Sequence, residues 1–466
     1  MMDIMDKLCS WLGAGVSHNR SRIRALLALP LVLGACDLKV ENPSKISDED
    51  LEDPLMLPAL VTGAASDVGY AATIPGFGGL FVIGSVLTDE LVAADTRVGP
   101  RSMSDGVVRN DLEEAQSWWA YAARARWTTE SVVARAKRLL PDADRNILVA
   151  RGALYAGFAN RINGDAFCNA VIDGGPLEPH TVYYERAEEY FTEAIRVGAE
   201  AGADSIVTAG YAGRAQVRMM LGDWDGAVED AAMVPNNFAI NLVNSTAGRN
   251  LNRYWTYARN DARYIVWGTP FYEWGVNYSG NRNIGDPRVV WEPQMAGSDY
   301  ARGPDLRRPH IKQRKYTGTG TAIPYAKGTE MRLIEAEAEL IKGNWETAID
   351  KINELRDYKN STAPSGWGTN RLQPVTASNI DEAWEVLMKE RGLELWLEGR
   401  RLADLRRWAV VPGKDKVPFT VVRKAAASPN AEDDPRVSVY AVNNALCFEV
   451  SLDERLSNPN IDGGKK

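Results

Sequence analysis

Residues 215–228 read AQVRMMLGDWDGAV, and residues 336–349 read AEAELIKGNWETAI. Both run from a small residue through an apolar helical stretch to Gly-[Asp/Asn]-Trp, then an acidic residue, and finally Ala followed by an aliphatic residue. Gly222 and Gly343 stand where a first helix would end, because glycine enters the left-handed conformation past a helix terminus without steric cost. Asp223 and Asn344 follow as caps for a second helix. Ala227 and Ala348 leave room for the two helices to approach closely. The pattern predicts helix, tight turn, helix, written twice.

Each unit looks like a tetratricopeptide (TPR) helix–turn–helix. Two other segments fit the same scheme more loosely. Residues 146–165 read as a first helix and 183–196 as its partner, with Tyr184, Ala187, Phe191 and Ala194/Ile195 at helical spacing. Residues 381–408 form a fourth unit, with Gly399 where Gly222 and Gly343 fall. Helical pairs therefore lie within 146–234 and 326–408. They are not in tandem, since Trp224 and Trp345 are 121 positions apart (345 − 224), several times one such repeat. Residues 235–325, between them, lose helical periodicity and are rich in Asn, Gly, Arg and aromatics. Turn signals recur there at Asn244-Ser245, Gly285-Asp286-Pro287 and Gly318-Thr319-Gly320. A stretch this long is not an idle connector. Residues 51–135 read as helical again, interrupted by the glycine-rich stretch at 74–79, and 359–379 and 411–436 read as further loops. The expected fold is all-α, a TPR-like helical superhelix with a long loop-rich insertion at 235–325 and few short strands. A C-terminal segment, 409–466, completes the body.

The N-terminus carries an address. Arg20, Arg22 and Arg24 precede the short apolar run ALLALPLVL at 25–33, and Leu33-Gly34-Ala35-Cys36 follows. The run is too short to span a bilayer, and small residues before a cleavage point mark a secretory signal. A cysteine directly after Leu-Gly-Ala resembles a bacterial lipobox, which implies a signal peptide at 1–35, lipidation of Cys36, and a polar tether at 36–50. The stretch before Arg20 is longer than such a signal needs, so translation is expected to start downstream of Met1. No later segment reads as apolar enough to cross a membrane, so the membrane is reached through the lipid anchor only. Formal net charge is −8, and cleavage would remove more basic than acidic residues. An acidic exported chain argues against nucleic acid as a partner. Cys168 and Cys447 remain after maturation, in a compartment that permits disulfides. They are either bridged or two separate thiols.

At this point the landmarks resemble one family. Residues 325–356, YAKGTEMRLIEAEAELIKGNWETAIDKINELR, and residues 387–408, LMKERGLELWLEGRRLADLRRW, are similar to two signature segments of the SusD/RagB nutrient-uptake lipoproteins. The ENP near the mature N-terminus and CFEVSLDERLSNPN at 447–460 also resemble that family. There are departures: Gly164-Asp165-Ala166-Phe167-Cys168 replaces the usual Gly-Asp-Val-Pro loop, and Glu449 and Ser451 stand where proline is usual. The resemblance implies a non-enzymatic lipoprotein at the outer membrane. It would form a surface-exposed lid over a SusC-like TonB-dependent barrel transporter and pass it a nutrient. The helical pairs would face the barrel, and the insertion would supply the ligand face.

Saccharides stack their C–H faces on flat rings and take hydrogen bonds from Asn, Asp and Arg. Trp267, Tyr272, Trp274 and Tyr278 lie among Asn277, Asn281 and Arg282 and are the first ligand-binding candidates. The competing reading is that these rings fill the insertion's own core. A second candidate surface is residues 88–119, from Thr88-Asp89-Glu90 through Trp118 and Trp119. Adjacent helical residues point about 100° apart, so at most one of the two tryptophans is expected to be exposed. The ligand is a glycan or a peptide. No cofactor or metal is expected, since the mature chain has only His180 and His310 and carries no HExxH or CxxC spacing. A helical-repeat glycosidase and a periplasmic lipid-anchored TPR scaffold for outer-membrane assembly are the alternatives. The scaffold leaves the aromatic insertion and the 387–408 signature unexplained.

Within that signature, residues 396–408 read WLEGRRLADLRRW. Taken as one helix, Glu398 reaches Arg401, Asp404 reaches Arg400 and Arg407, and Glu394 reaches Arg391. The charges are therefore expected to neutralise one another along their own helix, with Leu393, Trp396/Leu397, Leu402, Leu405 and Trp408 on its buried side.

Overall fold

The computed structural model describes residues 50–461 except 75, 77, 243, 279–284, 410–419, 424–437 and 442–445, and only the backbone of 420–423 and 438–441. The expected signal peptide, Cys36, nearly all of the expected tether, Asn281 and Arg282 lie outside the described residues. From Glu52 onward the chain forms one contiguous unit.

Helix α1 (Leu57–Thr73) opens the body, followed by α2 (Leu80–Leu87), α3 (Val98–Ser104) and the long α4 (Glu113–Leu139). Residues 54–73 are long and apolar enough to cross a membrane by length and composition, which corrects the sequence-based expectation. Half of that window is nevertheless buried inside the body. Its Asp67 is buried and paired with Arg124 and Arg249, so α1 is a core helix of this unit.

Four helical pairs follow. They are α5 (Ile147–Ala166) with α6 (Thr181–Glu200), α7 (Asp204–Leu221) with α8 (Trp224–Ala232), α10 (Gly328–Ile341) with α11 (Trp345–Ser361), and α12 (Ile380–Glu394) with α13 (Arg401–Trp408). Between the second and third pairs lies a short helix α9 (Pro270–Trp274). The turns work as the residues dictate. Gly222, Gly343 and Gly399 all have left-handed φ, at 82°, 86° and 71°. The Asp223 side chain accepts from the Gly226 N–H at 3.1 Å, capping α8. Asn344 does not cap; its side chain donates to Glu339 instead. Ala227 and Ala348 are fully buried, consistent with close helix approach.

Gly399 is constrained twice. Besides its φ, a Cβ there would meet the Phe81 ring at 2.4 Å. Just before it, α12 stops at Glu394 and the chain turns before α13 begins at Arg401, so residues 396–408 are not one helix. Leu397 takes φ 56°, a conformation costly for a branched side chain. Its backbone is held from both ends: its N–H donates to the Glu90 carboxylate at 2.6 Å, and its carbonyl accepts from the Tyr316 hydroxyl at 2.9 Å.

The expected self-neutralising ladder is mostly overturned. Only Asp404–Arg407 forms within the segment, at 3.0 Å. Arg400 pairs with Glu330, Arg401 with Asp89, and Arg407 also with Glu337. Asp404 accepts from Arg391 at 2.9 Å. Glu398 is held by Lys315 and Lys327, and Glu394 by Lys327, Lys359 and Arg288. Burial opposes ionisation of Asp404, Glu398 and Glu394, but these cations win and hold all three carboxyls below their ordinary values. The signature thus pins α12 and α13 to distant parts of the chain. Such buried pairs contribute little net stability when intact, but they are expensive to break.

The insertion contains short strands. β1 (Val92–Ala93) precedes it; β2 (Ala239–Asn241), β3 (Tyr264–Ile265), β4 (Gly275–Asn277), β5 (Asp286–Pro293), β6 (Ile311–Gln313) and β7 (Pro324–Lys327) follow. The three-stranded sheet has the order β6–β5–β4, with β6 antiparallel and β4 parallel to β5. β2 pairs with β7, closing the insertion at its root.

At the C-terminus, α14 (Leu452–Ser457) is capped by Ser451, whose hydroxyl accepts from the Glu454 N–H at 3.3 Å. Serine in place of proline therefore has a local use. Cys168 and Cys447 are joined in a disulfide. Beside it the Cys168 N–H donates to the Phe448 carbonyl, and the Phe448 N–H to the Ala166 carbonyl, so the departure from the Gly-Asp-Val-Pro loop coincides with a covalent tie to the chain's end.

Candidate functional site

The insertion is anchored before it is decorated. Arg288, on β5, turns inward to Glu390 and Glu394 of α12. Val289 and Trp291, on the opposite face of the same strand, are buried as well. Trp291 stacks on Tyr272 with ring centroids 4.4 Å apart, and its indole N–H donates to the Tyr272 carbonyl at 3.1 Å. Phe271 stacks on Trp396, and Trp274 meets Phe271 edge-on at 5.2 Å, with the Lys389 ammonium 5.2 Å from its own ring.

These contacts sort the candidates. Tyr272 and Trp274 are half-buried packing rings. Trp267 is half-buried against Val92, Ala94 and Ile265. Tyr278, just after β4, is 58% exposed. Its ring faces the Arg314 guanidinium at 3.5 Å, a cation–π contact. Arg314, Lys312 and Arg259 converge on Glu292. Burial resists ionisation of Glu292, but hydrogen bonds from Arg314 and Lys312 outweigh it and hold its carboxyl below the usual range. The result is an open ring with fixed donors and acceptors beside it. Arg314 and Lys312 escaped the sequence reading; their two-residue spacing at the end of β6, which places both on one face, was the available signal.

The segment after α2 does reach the insertion. β1 pairs antiparallel with β3, Val92 opposite Ile265 and Ala93 opposite Tyr264. The Ala94 carbonyl also accepts from the Asp305 N–H at 3.0 Å. Asp95 lies at this joint, paired with Arg97 and Arg263. Its burial opposes ionisation, yet bonds from Arg97 keep its carboxyl below the ordinary value.

The two candidates from this region are corrected. Asp89 is 5% exposed and fully engaged by Arg401. Trp118 is 1% exposed, and its indole N–H donates to the Gly78 carbonyl at 3.0 Å. Trp119 is buried too, so neither of the adjacent tryptophans faces solvent. Trp118 and Trp119 are packing residues, because α4 lies between α1 and α5 and presents these positions to the core. Among the described residues, no group of three or more His, Cys, Asp or Glu side chains comes together as metal ligands would.

The sequence profile of the SusD family matches residues 199–446. Among solved structures, a SusD-like protein from Bacteroides fragilis is 14% identical with a TM-score of 0.63, covering 90% of this chain and 98% of its own. A SusD superfamily protein from Parabacteroides distasonis is 12% identical with a TM-score of 0.60, covering 90% and 99%. A Bacteroides vulgatus protein provisionally named for sugar binding is 14% identical with a TM-score of 0.57, covering 87% and 97%. At these identities the likeness establishes a shared fold. No curated protein matches the sequence.

Proposed function

The chain belongs to the SusD family, and from that membership we propose that it is a lipid-anchored outer-membrane protein that captures an oligosaccharide and delivers it to a SusC-like TonB-dependent barrel transporter. In this reading Cys36 carries the lipid and the insertion carries the ligand. The protein acts by binding and handover, without turnover.

One observation carries the saccharide assignment. Tyr278 is exposed, while Phe271 and Trp291 of the same insertion are packed away. Its ring lies against the Arg314 guanidinium, which is held by Glu292, and Glu292 also binds Lys312. A sugar ring needs such a pairing of one apolar platform with oriented polar groups. Trp267 and Trp274, both half-buried, are the secondary contacts in this proposal, with Tyr272 packed beside them. The sugar-binding name of the Bacteroides vulgatus protein with the same fold points the same way.

The test is a binding screen of neutral oligosaccharides and short peptides on the lipid-free chain, repeated with Tyr278→Ala and Trp267→Ala. Saccharide binding lost in Tyr278→Ala supports the reading. Saccharide binding that survives both changes would sink the insertion as the site, and hydrolysis of the bound glycan would overturn the claim of binding without turnover. Protease treatment of intact cells separates a surface protein, which is cut, from a periplasmic scaffold, which is protected.

A further inference from the structure

A second cleft lies away from the insertion's residues. It has a volume of about 310 Å³ and is lined by α4, by the turn at residues 171–174 and by Glu454 of α14. Residues 235–325 contribute nothing to it. Trp127 of α4 forms one wall and is 58% exposed. Single exposed apolar side chains are ordinary on protein surfaces. What sets this one apart is its surroundings.

The polar groups around Trp127 are fixed. Asp173 takes φ 51°, a costly conformation for a residue other than glycine, though among the least so for Asp. Its carboxylate accepts from the Arg126 guanidinium at 2.6 Å. Arg126 is itself 3% exposed and also binds Glu130 at 2.7 Å. Its Nε is buried without a hydrogen-bond partner among the described residues, which is an expensive way to leave a donor. Arg124, about half exposed, leans on Asp67. Glu454 is oriented by the Trp119 indole N–H at 3.3 Å and by the Asn458 amide at 3.0 Å.

The turn that carries Asp173 is itself clamped. Asn458 donates to the Gly175 carbonyl at 2.9 Å, and Asn460 donates to the Gly174 carbonyl at 2.8 Å. The Asn-Pro-Asn near the C-terminus thus holds one wall, and the Cys168–Cys447 disulfide ties the same two chain segments together.

We propose that this cleft is a second saccharide-binding site, taking one or two sugar rings. The volume is at the lower end of ligand pockets. A pyranose would lay its apolar C–H face on the Trp127 indole. Its hydroxyls would donate to Asp173 and Glu454 and accept from Arg124. A peptide fits less well, because helix α4 and a tight turn line the cleft and no free strand edge is offered for strand addition. The proposal does not depend on the insertion face being the nutrient site.

The test is calorimetric titration of the full chain in detergent with maltotetraose, cellotetraose, xylotetraose and, as a peptide probe, tetra-alanine. Wild type, Trp127→Ala, Asp173→Asn and Tyr278→Ala are compared. Trp127 is exposed, and asparagine tolerates left-handed φ, so both cleft variants should fold; near-ultraviolet circular dichroism checks this. At least one tetrasaccharide is expected to show a binding component that Trp127→Ala weakens by about tenfold or more. Asp173→Asn should weaken the same component, and Tyr278→Ala should leave it in place. A set of saccharide affinities all unchanged in Trp127→Ala overturns the proposal, as does the absence of any saccharide binding. Tetra-alanine binding sensitive to Trp127 overturns the saccharide class. If all saccharide binding is lost in Tyr278→Ala and none in Trp127→Ala, the insertion site stands and this one falls.

Discussion

Arg401 and Asp89, 312 positions apart, form a two-pronged buried ion pair: Arg401 Nε donates to one carboxylate oxygen at 2.7 Å and Nη2 to the other at 2.6 Å. The pair ties α13 to the segment after α2. Asp89→Asn removes one charge and leaves the other buried, which should cost about 3–5 kcal/mol. Replacing both residues with apolar ones of similar volume should recover most of that loss. Urea unfolding of the two variants measures both effects, and an Asp89→Asn midpoint equal to that of wild type would show that the pair does not hold these elements.

Next to Asp89, Glu90 titrates unusually high. Burial pushes its carboxyl up to about 7; bonds from the Ser85 hydroxyl and the Leu397 N–H pull it back, while Asp89 raises it and Arg401 lowers it. The folded protein therefore keeps a proton that the unfolded chain releases near 4.5. This contribution to stability is whole below about 4.5 and declines as pH rises to about 7, at about 1.4 kcal/mol per pH unit. Glu90→Gln, which keeps a neutral side chain of the same shape, should remove that slope. Melting temperatures of both proteins from pH 4.5 to 8 supply the comparison; parallel curves would refute the assignment.

The Cys168–Cys447 bridge closes a loop of 279 positions. Removing it by Cys168→Ser with Cys447→Ser should cost about 2–5 kcal/mol. Because Glu454 and Asn458 lie just beyond Cys447, the same change should also weaken any ligand held at Trp127. A melting temperature insensitive to reductant would contradict the first expectation.

Tyr278 and Trp291 make a contrast on one small sheet. Tyr278→Ala should lower saccharide affinity about tenfold, roughly 1.4 kcal/mol, and leave the melting temperature nearly unchanged because the ring is 58% exposed. Trp291→Ala removes an indole that is 3% exposed and should destabilise by about 3–5 kcal/mol. Calorimetric binding and thermal melting of the two variants must separate in this way, and a Tyr278→Ala protein that binds normally would break the pattern.

The helical pairs were legible because their signals are local. A glycine that must turn left-handed at 222, 343 and 399, a cap at Asp223, and an alanine at each close approach act within a few residues of where they are written. The signature around 387–408 identified the family for the same reason. Its physics was not legible. Helical spacing offered Glu398 to Arg401 and Asp404 to Arg400, but the chain breaks at Leu397 and Gly399, and the charges find Asp89, Glu330, Lys315 and Lys327 instead.

The ligand face divides along the same line. Composition placed the aromatics of the insertion in view, yet it could not say that Trp291 faces inward while Tyr278 faces water, since that depends on which strand each residue joins and on what packs behind it. Trp118 and Trp127 lie on one helix nine residues apart, one buried and the other exposed. The sequence by itself determined the repeat and the family. Only the tertiary structure decided which charges pair and which rings stay exposed, because burial and ion pairing are set by segments that meet in space after tens to hundreds of intervening residues.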